Sequence, residues 1–192
     1  MTFNLRYVLL LALLAVSIQS RAARIFIPMN EDEQANHLKA YGVAYAALQK
    51  QIEIDWLLNY EGGSFAMVQT DYIEKLCKLR GVSYRVMSDA QYSGIIDKIA
   101  DPDYNGDIIK LEKVPKIAVY TPKGKQPWDD AVTLVLTYAE IPYDEIYDDE
   151  VLQEKLPEYD WLHLHHEDFT GQYGKFWGAY RNAAWFQEEV KV

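Results

Sequence analysis

The chain has 192 residues, enough for one sizeable domain or two small lobes. Hydrophobic residues make up 49% of it and aromatic residues 14%, so apolar surface is ample and the composition excludes a disordered protein. The formal net charge is −10 and there is no long basic run. This argues against nucleic acid as a partner, because phosphate binding needs clustered Lys and Arg.

Residues 1–23 have the pattern of a signal peptide. Arg6 supplies the positive charge, Tyr7–Val16 is an apolar run, and Ala22 and Ala23 are small residues that suit a cleavage site. The apolar run is shorter than the roughly 20 residues of a membrane-spanning helix, which leaves an uncleaved anchor as the weaker alternative. We therefore predict an exported protein, periplasmic or secreted, with no stable membrane anchor after cleavage.

The sequence from residue 24 to residue 112 alternates short apolar runs with helical patterns. The predicted strands are Ile25–Met29, Ile52–Leu58, Phe65–Val68 and Val82–Met87. The predicted helices extend to about residue 50, from Thr70 or Asp71 to Arg80, and from Ser88 beyond Ile99. The first helix repeats large apolar residues every three or four positions, at Leu38, Tyr41, Tyr45 and Leu48. Gly81 lies where a left-handed residue would end the second helix.

Cys77 is the single cysteine, so the chain has no internal disulfide. It lies beside Leu76 and on the same face of the predicted second helix as Ile73. A thiol in such apolar surroundings has a raised pKa and is inert. We predict a buried structural thiol rather than a nucleophile.

A second series of strands and helices begins after Pro115. The predicted strands are Lys116–Tyr120, Pro142–Tyr147 and Asp160–His165. The predicted helices run from Trp128 to Ala139, from Asp148 to Leu156, and from Phe176 to Glu189.

This alternation predicts right-handed crossovers and an α/β fold with a mainly parallel sheet and flanking helices. Turn residues between Asn105 and Pro115 mark a seam. We predict an N-terminal α/β lobe over residues 24–112 and a second β-α-β lobe over residues 113–192. The second lobe should end in an aromatic helix and leave the sheet incomplete at that end.

The predicted site centres on Tyr159–Trp177, where a strand leads into a loop rich in histidine, acidic, aromatic and glycine residues. Ligand sites in parallel α/β sheets lie outside the carboxyl ends of the strands. Three loops should meet at that edge, namely Tyr60–Ser64, Lys123–Trp128 and His165–Tyr173. The candidate ligand-binding residues are His163, His165, His166, Glu167, Asp168, Trp128, Asp129, Tyr173 and Trp177.

The histidine cluster leaves open metal binding, a hydrogen-bonded place in the core, and contact with a ligand. Because successive strand residues point to opposite faces, His165 and His166 would not converge on one ion, and we predict no metal. No cofactor is predicted either. Tyr60–Ser64 is either a plain turn or an anion cradle made of backbone amides.

Four stretches are distinctive enough to compare with a known family. They are N-H-L-K-A-Y-G (Asn36–Gly42), D-W-L-L-N-Y-E-G-G-S-F (Asp55–Phe65), Q-P-W-D-D-A-V-T-L-V-L-T-Y-A-E-I-P-Y-D (Gln126–Asp144) and W-L-H-L-H-H-E-D-F-T-G-Q-Y-G-K-F (Trp161–Phe176). These stretches resemble exported bacterial proteins that are commonly labelled asparagine synthetase B. The resemblance implies a class I glutamine amidotransferase-like, flavodoxin-like fold. In that family a nucleophile elbow with a Cys lies in the part that follows, so this chain matches the N-terminal half.

The chain itself contains neither a nucleophile elbow nor the N-terminal Cys and ATP-binding motif of a glutamine-dependent asparagine synthetase. We therefore expect an exported domain that resembles half of an amidotransferase-like protein and is not catalytic alone. The alternative is a non-catalytic module that binds a small polar or sugar-like ligand over Trp128, Tyr173, Phe176 and Trp177. Either form should self-associate or pair with a missing C-terminal half.

Overall fold

A computed structural model describes residues 23–121, 131–164 and 173–191 of the protein. These residues belong to two compact units, whose boundary in the chain lies between Glu112 and Lys113. The predicted signal peptide lies almost entirely outside the described residues. None of the described helices is long and apolar enough to cross a bilayer.

The strands of the first unit are β1 (Ala23–Ile27), β2 (Ile54–Leu58), β3 (Ser64–Val68), β4 (Arg85–Ser88) and β5 (Asp107–Leu111). Its helices are α1 (His37–Gln49), α2 (Asp71–Arg80) and α3 (Asp89–Ile99). The strands form one five-stranded sheet in the order β4-β1-β3-β2-β5, and every pairing in it is antiparallel. The run from β1 to β4 has the β-α-β-β-α-β connectivity of ferredoxin-like domains, and α3 then leads to β5 at the opposite edge.

Helices cover both faces of this sheet. On one face, Tyr92 and Ile99 of α3 pack with Phe26, Leu57 and Ala66 of the strands. The alternate strand residues point to the other face, where the ring of Phe65 lies 5.5 Å from that of Tyr41 in α1. As a result consecutive residues of β1 are fully buried, at Ile25, Phe26 and Ile27.

The prediction of a mainly parallel, flavodoxin-like sheet is therefore wrong for the main sheet of this protein. The physical reason is that helices cover both faces of the sheet. A strand that is buried on both faces has a continuous apolar sequence, and such sequences are typical of parallel sheets. The topology separates β1 from β2, because β3 turns back through a hairpin and inserts between them.

The second unit contains β6 (Ile117–Tyr120), β7 (Asp144–Ile146) and β8 (Trp161–Leu164). Its helices are α4 (Ala131–Ala139), α5 (Asp148–Leu152), α6 (Tyr173–Tyr180) and α7 (Ala184–Glu189), with a 3₁₀ turn at Leu156–Glu158. The strands form a three-stranded parallel sheet in the order β7-β6-β8. Parallel pairing among the described strands is confined to this unit.

Local predictions of helix ends are confirmed. The hydroxyl of Thr70 accepts a hydrogen bond from the Ile73 amide, and Gly81 ends α2 with a φ of 64°. Ser88 caps α3 in a capping box with Gln91. Cys77 is fully buried, as predicted.

Two other predictions of elements are wrong, and the first helix, although confirmed, buries a different face from the one that its large apolar residues mark. The sequence predicts only turn residues where β5 lies, and it predicts a single C-terminal helix where the structure has two, α6 and α7. In α1, Leu38 and Tyr41 are exposed, and the buried side is a small-residue face that includes Val43 and Ala47.

Candidate functional site

Most of the predicted site residues lie outside the described residues, namely Trp128, Asp129, His165, His166, Glu167 and Asp168. Of the others, His163 is half-buried in β8 opposite Val119 of β6. Tyr173 is the first residue of α6, and Trp177 lies in the same helix. That these residues share one site stays a prediction.

The aromatic residues predicted to cover a ligand pack the two last helices together. The ring of Trp177 lies 5.3 Å from that of Phe186 in α7. The ring of Phe176 lies 5.8 Å from Phe186 and 6.1 Å from Trp185. These contacts give both residues a structural role in the α6–α7 pair, although Trp177 is still 41% exposed.

The loop Tyr60–Ser64 is the hairpin between β2 and β3 in the antiparallel sheet, so it does not follow a parallel strand. Its amides are used within the turn: the N–H groups of Gly63 and Ser64 both donate to the carbonyl of Tyr60, at 3.1 Å. The Ser64 hydroxyl donates to the same carbonyl at 2.6 Å. The loop is a structural turn and not an anion cradle.

The carboxyl edge of the parallel sheet is better suited to a site. Tyr120 and Leu164, the last residues of β6 and β8, are register partners, so residues 122–130 and 165–172 follow neighbouring strand ends. In α/β proteins, ligands bind at this edge of the sheet, and two of the predicted loops follow these strand ends in the sequence. The loops themselves lie outside the described residues.

A cluster of polar side chains occupies the described part of this edge. The hydroxyl of Tyr120 donates a hydrogen bond to Oδ1 of Asp148. Asp148 is the first residue of α5, and Tyr147 lies between it and β7. The rings of Tyr120 and Tyr147 lie 5.2 Å apart. The end of β6 and the start of α5 are therefore joined by two tyrosines and a carboxylate.

Glu189 of α7 extends this cluster. The hydroxyl of Tyr147 donates to Oε2 of Glu189 at 3.4 Å. Burial, and then the negative charges of Glu189 and Asp148, raise the pKa of the Tyr147 phenol. Tyr147 consequently stays a neutral hydrogen-bond donor at physiological pH.

A cavity of about 240 Å³ lies beside the cluster. Its walls are the two acidic residues Asp148 and Glu189 and the two aliphatic residues Val151 and Leu152. Ligand pockets usually measure about 300–1,000 Å³, so this cavity suits a ligand of about one small ring. The cavity offers two carboxylates as hydrogen-bond acceptors and an apolar surface made by the two aliphatic side chains.

Thr121 adds a buried polar atom near the same edge. Its amide continues the β6–β7 ladder by donating to the Ile146 carbonyl at 2.9 Å. Among the described residues, its buried Oγ1 has no hydrogen-bond partner.

The residues Tyr120, Tyr147, Asp148 and Glu189 were not singled out from the sequence. A usable signal existed: Tyr147 and Asp148 directly follow strand β7, as His165 and His166 follow β8 in the sequence. Asp148 was interpreted only as the start of a helix. Glu189 carried no such signal, because it lies 42 residues from Tyr147 in the chain.

Groups that could act as nucleophiles are not activated in the described residues. Burial raises the pKa of the Cys77 thiol to about 11, so it is not a thiolate at neutral pH. Ser64 Oγ is engaged with the Tyr60 carbonyl. The described residues also contain no group of three or more His, Cys, Asp or Glu side chains placed to hold a metal ion.

No family model, curated protein or solved structure matches this chain. The resemblance to proteins labelled asparagine synthetase B thus stays a prediction made from four sequence stretches.

Proposed function

We propose that this chain is an exported binding module that is not catalytic by itself and takes a small polar or sugar-like ligand at the carboxyl edge of its parallel sheet. The observation that carries the proposal is the cavity of about 240 Å³ between Asp148 and Glu189, next to the Tyr120–Tyr147 pair. The cavity combines charged acceptors and aliphatic side chains in a small volume, and its two carboxylates accept hydrogen bonds from Tyr120 and Tyr147.

The chemistry of these groups fits a polyhydroxylated ring. Ionised carboxylates only accept hydrogen bonds, and hydroxyl groups of a sugar can donate to them. The C–H faces of a sugar ring are apolar and pack on aromatic and aliphatic side chains such as Val151 and Leu152. An anionic ligand would be repelled by Asp148 and Glu189.

The state of the thiol supports the proposal that the isolated chain does not catalyse amide transfer. Amide transfer needs an activated nucleophile and donors for the oxyanion. Cys77 is fully buried in α2, and its pKa is raised to about 11, which favours the inert thiol form. We propose that the chain corresponds to the N-terminal half of the family it resembles and would supply a binding surface there rather than the nucleophile.

Ligand binding is tested by titrating the full chain with D-glucose, D-galactose and D-mannose in a calorimeter, with Glu189→Gln as the site variant. The matched control is Glu188→Gln, an exposed neighbour in α7 that does not line the cavity. We expect saturable binding of at least one sugar that Glu189→Gln weakens and Glu188→Gln leaves unchanged. No saturable binding, or equal effects of the two variants, would contradict the proposal.

Catalysis and export have separate tests. The full chain should release no ammonia from glutamine, and turnover above a blank would overturn the non-catalytic assignment.

Material recovered from outside the cytoplasm should begin near Ala23 when its N-terminus is sequenced. Recovery of intact Met1 in the membrane fraction would instead support an uncleaved anchor.

A further inference from the structure

The helix α3 covers only part of one face of the first sheet. Its residues Tyr92 and Ile99 pack on Phe26 and Ala66. The same row of the sheet continues from Ala66 to Asp55 and then to Lys110, because these residues are register partners across β3, β2 and β5. This row of the sheet therefore ends in two charged residues, Asp55 and Lys110.

A cavity of about 360 Å³ lies on this uncovered part of the sheet. Its walls include two cationic, two anionic and two aliphatic side chains, which are Arg24, Lys110, Glu53, Asp55, Ile52 and Val68. Val68 is 48% exposed in the midst of these charges. The volume falls within the usual range of small-ligand pockets, about 300–1,000 Å³.

The four charges form two ion pairs that both border the cavity. Arg24 Nη1 lies 3.4 Å from Oδ2 of Asp55, and Lys110 Nζ lies 3.0 Å from Oε2 of Glu53. The Lys110–Glu53 pair is exposed and adds little to stability, whereas the Arg24–Asp55 pair is partly buried. Placed around a cavity, they offer positive and negative charge to a ligand within a few ångströms of one another.

The Arg24–Asp55 pair is held in place by α3. The hydroxyl of Tyr92 donates to Oδ2 of Asp55 at 2.6 Å, and the Arg24 guanidinium carbon lies 4.3 Å from the centre of the Tyr92 ring. Asp89, also in α3, lies 3.5 Å from the Nε of Arg24. These contacts fix both side chains before any ligand binds, which lowers the entropic cost of binding.

The contacts leave part of each group for a ligand. Among the described residues, the contacts of Asp55 with Arg24 and Tyr92 are all made by Oδ2, so Oδ1 can accept a further hydrogen bond. The guanidinium of Arg24 has five N–H donors, and Lys110 has three. The cavity can thus hold a positive and a negative ligand group together.

We propose that this cavity binds a small zwitterion of the α-amino acid class. The ligand carboxylate is held by Arg24 and Lys110, the ammonium group by Asp55 and Glu53, and a short side chain packs on Val68. A ligand with a single charge would contact either the two cations or the two carboxylates. The two groups of the other sign would then lose water without gaining a ligand contact. This site lies in the first unit and is separate from the proposed sugar-like site.

The ligand class is tested by calorimetric titration of the full chain with L-valine, L-alanine and L-glutamine. Isobutylamine and 3-methylbutanoate are matched controls for L-valine that lack the carboxylate and the ammonium group, respectively. We expect saturable binding of at least one amino acid, and binding of the single-charge analogues that is weaker by about tenfold or more. No saturable binding of any amino acid, or equal binding of an analogue, would overturn the proposal.

The location is tested by filling the cavity with Val68→Phe. Val86→Phe is the matched control, because Val86 is 49% exposed in β4 and does not line the cavity. Val68→Phe should abolish amino acid binding, and Val86→Phe should retain it, with thermal unfolding used to check that both variants fold. If Val68→Phe does not fold, Glu53→Gln replaces it and should weaken binding about tenfold. Wild-type affinity in the folded cavity variant would contradict this location.

Discussion

Gly62 lies directly against the carbonyl of Met29: a Cβ atom added at Gly62 would sit 2.3 Å from that oxygen. The contact joins the β2–β3 hairpin to the segment that follows β1, and the Met29 amide also donates to the Glu61 carbonyl at 2.9 Å. Gly62 has a φ of 80°, in the left-handed region. Both the available space and the backbone conformation therefore select glycine at this position.

Gly62→Ala should lower the free energy of unfolding by about 3 kcal/mol or more, because it combines backbone strain with a backbone clash. Gly81→Ala is the matched control: Gly81 also has positive φ, but nothing lies within 4 Å of its added Cβ. The control should lose only about 1 kcal/mol. Urea unfolding measures both, and equal losses would show that the Met29 contact has no energetic effect.

Tyr92 should make stability depend on alkaline pH. Burial, and then the hydrogen bond and charge of Asp55, raise the pKa of its phenol above the usual value of about 10. A raised folded-state pKa contributes stability that is complete below about pH 10 and is lost as the pH rises further. The free energy of unfolding should fall less steeply above that pH in Tyr92→Phe than in the wild type.

The measurement is a series of urea titrations between neutral pH and about pH 11. Tyr72→Phe in α2 is the control, since Tyr72 is exposed and Tyr92 stays intact in that variant. In this control the free energy of unfolding should fall with pH as steeply as it does in the wild type. If Tyr92→Phe keeps the wild-type dependence of stability on pH, then neither burial nor the bond to Asp55 raises the pKa of the Tyr92 phenol in the folded protein.

Cys77 should be inert in the folded protein and reactive in the unfolded chain. Burial raises the pKa of its thiol from 9.0 to about 11, which corresponds to roughly 3 kcal/mol favouring the neutral form. This contribution is complete below about pH 9 and is lost as the pH rises toward 11. A chromogenic disulfide reagent at pH 8 should label Cys77 only after urea is added. Rapid labelling without urea would contradict its burial and reopen the question of a nucleophile.

The sequence allowed good predictions where the determining interactions are local. Helix ends depend on residues within one helical turn, as at the caps Thr70 and Ser88 and at Gly81, where α2 ends. The direction of the main sheet depends on β3 inserting between β1 and β2, which no local pattern shows. Strand β5 was missed because it is an edge strand with polar residues, so it resembled a linker.

The candidate site shows the same division. The sequence pointed to the carboxyl ends of β6 and β8, and the structure makes these ends neighbours through Tyr120 and Leu164. The cavity itself follows β7, and one of its walls is Glu189 of α7. The contact between Tyr147 and Glu189 depends on how the last helix packs, which sequence periodicity does not determine.

The outer edge of β8 is exposed in the described part of the second unit, where β8 pairs with β6 alone. Trp161, Leu162 and Leu164 are 43%, 38% and 40% exposed along this strand. An edge strand with apolar side chains and no charged residue is a template for pairing with another chain, so the protein should self-associate.

Leu164→Lys should lower this self-association by placing a charge beside the strand edge. Leu79→Lys is the matched control, because Leu79 is 73% exposed on helix α2 and the substitution changes the net charge by the same amount. In sedimentation velocity, the average mass of the wild type and of Leu79→Lys should rise with concentration, while Leu164→Lys should stay near 22.2 kDa. If both variants lower association equally, net charge and not the edge controls it. A wild type that stays monomeric over the whole range would show that the exposed edge does not pair at all.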